Sequence, residues 1–151
     1  MPGHASRPPL AIKRLHPDAH MPAYQSDGAA GLDLHACLDR PVIIEPGAIA
    51  LIDIGIAIAL PPGHEGQIRP RSGLASRHGI TLPNAPGTID EDYRGPIKVP
   101  LINLGPKAFT IEPDMRIAQM VIAPVTHCEP IEVDDLDATR RGGCGFGSTG
   151  A

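Results

Sequence analysis

Large aliphatic residues recur at every second position from Ile52 to Leu60, with Asp53, Gly55, Ala57 and Ala59 between them. A period of two puts the large side chains on one face, which predicts a β-strand opened by Gly47 and closed by Pro61. Leu10 to Leu15, Ile97 to Leu104 and Arg116 to Pro124 also read as strands. His16 to Ala30 reads as a loop ending at Gly31. Pro46-Gly47, Pro62-Gly63, Gly105-Pro106 and Pro113-Asp114 punctuate the chain at short spacing, as tight turns do. One segment invites a helix, Ser72 to His78, with Ser72 as its cap and Gly79 as its stop. Strands do not alternate with long helices, so a parallel α/β sheet is excluded in favour of an all-β sandwich or jelly roll. No internal repeat is present.

The 151 residues suffice for one core. Gly 17 and Pro 18 bring the chain close to the roughly 25–30% at which disorder competes. Against this, 42% of the residues are hydrophobic and fall in short runs between breakers. The expected division is a mobile arm over 1–9, a β domain over 10–136 and a flexible tail over 137–151. A net charge of −4 with two Tyr, two Phe and no Trp argues against binding long nucleic acid or an anionic membrane. No apolar run approaches the roughly 20 residues of a membrane span, and the first residues do not read as a secretory signal. Cys37, Cys128 and Cys144 are odd in number and far apart, which fits a reduced, cytoplasmic setting better than a disulfide framework.

Four segments could carry chemistry, and each has a plainer reading. The tail Arg140 to Ala151 is rich in glycine, with Phe146 alone among them. Its backbone N–H groups and arginines suit an anion, and a free aromatic face suits something flat; equally, it is a loose tail. Pro70-Arg71-Ser72-Gly73-Leu74-Ala75 sets Arg and Ser at a helix start, either as an anion site or as a simple cap. Gly87-Thr88-Ile89-Asp90-Glu91-Asp92-Tyr93-Arg94-Gly95 gathers three acids in a turn, for a metal or an activated water, or as a solvated hairpin tip. Asp33, between Leu32 and Leu34, either reaches a site or faces water. The seven histidines show no metal-binding spacing, and no zinc site is assigned.

Taken together, the pieces closely resemble the trimeric dUTPases. Five motifs occur in that family's order: Ala30-Gly31-Leu32-Asp33-Leu34; Pro70 to Ala75; Asn84 with Gly87 to Gly95; Arg116-Ile117-Ala118-Gln119-Met120; and Arg141 to Gly150. The resemblance covers about residue 12 to the C-terminus. It implies a distorted jelly-roll subunit with one short helix and a tail that closes over the active site. It also implies a homotrimer with three sites at subunit interfaces. The implied reaction is hydrolysis of dUTP to dUMP and pyrophosphate with Mg²⁺, keeping uracil out of DNA and supplying dUMP for thymidylate synthesis.

By the same resemblance, Asp90 activates a water for attack on the α-phosphorus, and Asp33 holds the water shell of Mg²⁺ from the second sphere. Asn84, Gly87, Thr88 and Ile89 form the uracil pocket, and Tyr93 packs under the deoxyribose. Lys98 is a further substrate contact. Arg71, Ser72, Gly73 and Gln119 meet the phosphates. From the tail, Arg141 reaches the γ-phosphate and Phe146 covers uracil, accompanied by Gly147 and Ser148. A dCTP deaminase on the same fold and a catalytically silent nucleotide sensor are the alternatives; the phenylalanine-bearing tail and the Asp90–Tyr93 hairpin favour the hydrolase. One departure stands out: Cys144 occupies a position usually held by glycine in the family. If that position needs a positive φ, the cysteine costs about 1–3 kcal/mol and weakens tail closure.

Overall fold

A computed structural model describes residues 7–150. Most of the expected N-terminal arm, residues 1–6, lies outside the described residues; 7–10 have no regular structure. The elements are β1 (Ala11–Arg14), β2 (Leu32–His35), β3 (Val42–Ile44), β4 (Ile49–Ala59), β5 (His64–Pro70), α1 (Ser72–His78), β6 (Ile80–Thr81), β7 (Gly87–Ile89), β8 (Pro96–Asn103), β9 (Phe109–Ile111) and β10 (Arg116–Pro124). One sheet has the order β1-β4-β8-β6, a second β2-β10-β5-β7, and β3 pairs with β9. The pairs within these sheets are antiparallel. This is the jelly-roll, all-β architecture that the turn spacing predicts. Among the described residues no helix is long and apolar enough to cross a membrane.

The core between the sheets is aliphatic: Ile52, Ile54, Ile56 and Ile58 from β4 meet Leu34, Ile68, Val99, Leu101, Ile117 and Met120. A chain this poor in aromatics has to fill its interior with branched aliphatic side chains, whose burial supplies the main driving force. Asn103 is the one buried polar side chain among the described residues. Its amide donates to the carbonyls of Ile44 at 2.8 Å and Lys107 at 2.7 Å, while its oxygen accepts from Gly105 N–H at 2.8 Å. The side chain therefore ties three segments together with its polar atoms satisfied.

β4 is not a uniform strand. Its register with β8 slips between Asp53 and Ala57, and Gly55 sits at φ +72 with its N–H held by Asp53 Oδ1 at 2.8 Å. This is a bulge built on glycine. A Cβ at Gly55 would stand 2.8 Å from both Ala19 Cβ and Cys37 Sγ. Gly55→Ala thus meets a strained φ and a steric overlap together, and should cost about 2–4 kcal/mol. Thermal unfolding checks this; an unchanged midpoint would show that the bulge relaxes freely.

The helix spans the predicted residues, but its cap differs. Arg71, at φ −87 and ψ 130, is the N-cap residue and no side chain caps the helix. Ser72 is the first helical residue, so the expectation that it caps is corrected by one position. Gly79, at φ 68, ends the helix, with its N–H directed to the carbonyls of Ala75 and Leu74.

Candidate active site

The hairpin from β7 to β8 gathers the first group of site residues. Thr88, Ile89, Asp90, Tyr93 and Lys98, with Leu51, Pro96 and Ile97, line an open depression of about 510 Å³. Alternation along β7 buries Gly87 and Ile89 and leaves Thr88 facing out. The turn after it is closed by Tyr93 N–H donating to the Asp90 carbonyl at 3.1 Å. Tyr93 O–H donates to the Pro96 carbonyl at 2.9 Å, which fixes the ring at the mouth of the depression.

The three acids of this turn separate by role. Glu91 Oε2 accepts from Gly63 N–H at 2.7 Å and anchors the hairpin to the β4–β5 turn. Asp90 is exposed, and among the described residues its carboxylate accepts no hydrogen bond. An unengaged carboxylate is free to accept a hydrogen bond or a proton from a ligand. Asn84 approaches Gly87, its Nδ2 lying 3.3 Å from where a Cβ on Gly87 would sit.

The second group lies on β2, β10 and the start of α1. Residues three apart on a regular strand point to opposite faces, yet Arg116 and Gln119 both point outward while Ile117, Ala118 and Met120 are buried. A register shift explains this: Arg116 faces His35 and Ala118 faces Leu34, so β10 carries one extra residue. The bulge brings Arg116 onto the face that carries Asp33. Arg116 Nη1 donates to Asp33 Oδ2 at 3.1 Å, with the Asp33 side chain 13% exposed. Asp33 therefore faces a partner rather than open water. Across the ladder, Gln119 stands opposite Asp33 and donates from Nε2 to the Pro70 carbonyl at 3.0 Å. Gln119 also needs the space beside Gly31, where a Cβ would come within 2.8 Å of Gln119 Oε1. Arg71 donates from Nη1 to the Arg116 carbonyl at 3.2 Å, and Ser72 and Gly73 open the helix beside it, exposed.

Arg116 is the site residue that sequence reasoning left without a role. Its motif membership was visible, but the bulge that turns it toward Asp33 was not. His35, on the same face of β2 as Asp33, was also missed. Its ring stacks on His20 with centroids 4.5 Å apart, and burial first, then neighbouring His20, pushes its pKa below the usual histidine range.

The tail residues stand apart from both groups. Arg141 Nε donates to the Cys144 carbonyl at 2.8 Å, and Phe146, at φ 52, is fully exposed. Among the described residues, the hydrogen bonds made by 126–150 stay within that stretch. One chain thus does not bring Arg141, Phe146, Gly147 or Ser148 to the other site residues. In this conformation the positive φ values of the tail fall on Gly142, Phe146, Gly147 and Gly150, and Cys144 is not among them. The turn that Cys144 N–H closes on the Arg141 carbonyl at 3.2 Å carries its positive φ on Gly142. Of the other thiols, Cys37 has its pKa raised, chiefly by burial, which keeps it in the unreactive protonated form.

Fold and site together define a jelly-roll protein that presents one unengaged carboxylate near several amide and guanidinium donors. The family model for dUTPase matches residues 17–150, and the chain belongs to that family. It is 52% identical over 141 residues to the deoxyuridine 5'-triphosphate nucleotidohydrolase of Syntrophotalea carbinolica, covering 93% of this chain and 96% of that one. To the enzyme of the same name from Sinorhizobium medicae it is 56% identical over 147 residues, covering 95% and 92%. The dUTPase of Staphylococcus bacteriophage 80alpha, solved with dUpNHpp, superposes with a TM-score of 0.86 at 27% identity, covering 95% of this chain and 99% of that chain.

Proposed function

We propose that this protein hydrolyses dUTP to dUMP and pyrophosphate. The observation that carries the reading is the free Asp90 carboxylate beside Tyr93 at the mouth of the depression between β7 and β8. Family membership and the two bacterial relatives named for this activity support it. In this reading Asp90 takes a proton from the water that attacks the α-phosphorus. Tyr93 lies flat under the deoxyribose and leaves no room for a 2′-hydroxyl. Asn84, Gly87, Thr88 and Ile89 receive uracil, and Lys98 adds a cation on the same rim. Arg71, Ser72, Gly73 and Gln119 take the phosphates. Arg141 and Phe146, with Gly147 and Ser148, close over the nucleotide, exclude bulk water and hold the γ-phosphate.

The donor set fits Mg²⁺. Among the described residues no group of three His, Cys, Asp or Glu side chains is placed to hold a metal alone. Mg²⁺ is a hard cation that takes oxygen ligands and keeps several of its waters. With Oδ2 held by Arg116, Asp33 has Oδ1 free to hold one of those waters. When bound, the ion supplies charge neutralisation at the phosphates.

We further propose a homotrimer with the site shared between subunits. The separation of the tail from the body site in one chain supports this, as do Ile49 and Leu51, exposed on the first sheet. The free thiols Cys37, Cys128 and Cys144 support a cytoplasmic setting.

The test is pyrophosphate release with Mg²⁺ from dUTP beside dCTP, dTTP and UTP. Cytosine presents a donor where uracil has O4, so dUTP should be preferred over dCTP by about 10⁴-fold in kcat/KM. Ammonia release from dCTP would reassign the site to a deaminase. Binding of dUTP without turnover would reassign it to a sensor.

A further inference from the structure

Three polar side chains near Asp33 take no part in the chemistry described so far. His20 leaves the loop before β2 and meets Asp114 Oδ1 at 3.1 Å through Nε2. Asp114 lies in the β9–β10 turn at φ 63, pinned there by its own N–H on the Ala36 carbonyl at 3.0 Å. On its other side, the His20 ring stacks on His35, nearly parallel at 17°. His35 stands directly opposite Arg116 across the β2–β10 ladder, at the residue where the bulge begins. Its Nδ1 is buried and has no hydrogen-bond partner among the described residues. A buried imidazole nitrogen left unpaired is normally disfavoured. Such a ring contributes here by shape and position rather than by a hydrogen bond from that atom.

The geometry makes a chain of supports. The turn fixes Asp114, Asp114 holds His20, His20 stacks on His35, and His35 faces Arg116, which grips Asp33. Arg116 is a long side chain, 46% exposed, with one hydrogen bond to its carboxylate partner. Left alone, such a pair surrenders much of its Coulomb energy to rotamer entropy and solvent. Directly opposed residues on neighbouring strands have Cβ atoms about 4.5–5.5 Å apart, so the His35 ring is placed to limit the alternative rotamers of Arg116.

We propose that His35, backed by the His20–Asp114 pair, is a positioning residue that holds the Arg116 guanidinium on Asp33 and so leaves Asp33 Oδ1 aimed outward. Its consequence for activity rests on the reading of Asp33 as holder of a Mg²⁺-bound water. Groups that support metal-site partners in this way typically change apparent metal affinity by about tenfold or more when removed.

The experiment compares His35→Ala and His35→Phe with wild type and with Asp33→Asn, using the intact trimer. Two quantities are read: the order parameter of the Arg116 Nε–H by ¹⁵N relaxation, and the Mg²⁺ concentration giving half-maximal dUTP hydrolysis. In His35→Ala, the order parameter should fall and the half-activating Mg²⁺ concentration should rise about tenfold. The kcat at saturating Mg²⁺ should stay within about twofold of wild type, because Asp90 and the uracil pocket are untouched. His35→Phe keeps a flat ring and should restore both readings. An unchanged Arg116 order parameter in a folded His35→Ala overturns the proposal. So does a lowered order parameter with unchanged Mg²⁺ dependence where Asp33→Asn does shift it. If Asp33→Asn leaves Mg²⁺ dependence unchanged, the reading of Asp33 fails instead, and Arg116 order alone decides the positioning role of His35.

Discussion

Asp90→Asn should lower kcat for dUTP by about 10³–10⁴-fold with KM little changed. The substitution keeps the shape and size of the side chain and removes its capacity to accept a proton. General-base assistance is commonly worth about 10²–10⁴, and here no second carboxylate is free to take over. Glu91 is occupied by the Gly63 N–H. Asp92 is exposed and lies outside the group lining the depression. The fold should be indifferent, since the Asp90 carboxylate has no hydrogen-bond partner among the described residues to lose. Pyrophosphate release at saturating dUTP, with thermal unfolding alongside, checks both halves. A kcat within tenfold of wild type would remove Asp90 from the role of base. Glu91→Gln is the matched control: glutamine still offers an acceptor to Gly63, so the hairpin and the rate should survive.

That separation of neighbouring acids shows where sequence reading stops. Asp90, Glu91 and Asp92 look alike in a turn; their roles differ because a distant loop reaches one of them. Strands with a clean alternation were legible, as β4 and β8 show, because their inner face is set by local period, and β10 was legible as a mostly apolar run of strand length. β5 was not. Its residues His64-Glu65-Gly66-Gln67-Ile68-Arg69-Pro70 are mostly polar, and it is a strand because β10 and β7 pair with it on both sides. β2 and β7 are too short to show a period and likewise rest on pairing. The two bulges set the remaining limit. A two-residue period places Arg116 and Gln119 on opposite faces, and nothing local to Ile117 announces the extra residue that reunites them. Gly55 was visible as a small residue in the alternation, yet its positive φ came only with the register against β8. The motif residues were thus readable one by one, whereas the Arg116–Asp33 grip required a fold.

Removing residues 140–151 should lower kcat/KM for dUTP by about 10²–10³-fold while leaving the unfolding midpoint unchanged. The stability half follows from contacts: the hydrogen bonds of this stretch close on itself, and Phe146 buries nothing on its own chain. The activity half follows from what the tail can offer a nucleotide. Arg141 brings a guanidinium fork that matches a terminal phosphate, and removing one preorganised charged donor from a phosphate site typically costs about 10²–10³. Phe146 offers a flat apolar face, and covering the base with it excludes the water that would otherwise screen those charges. The single variants should divide the loss. Arg141→Ala should act mainly on kcat, because the γ-phosphate belongs to the leaving pyrophosphate, where charge builds in the transition state. Phe146→Ala should act mainly on KM, because stacking on uracil is the same before and during the reaction. Mixing inactive Asp90→Asn subunits with tail-truncated subunits then locates the tail. If the tail of one subunit serves the site of another, mixed trimers recover activity that neither parent has. If each tail closes over its own chain, mixing restores nothing.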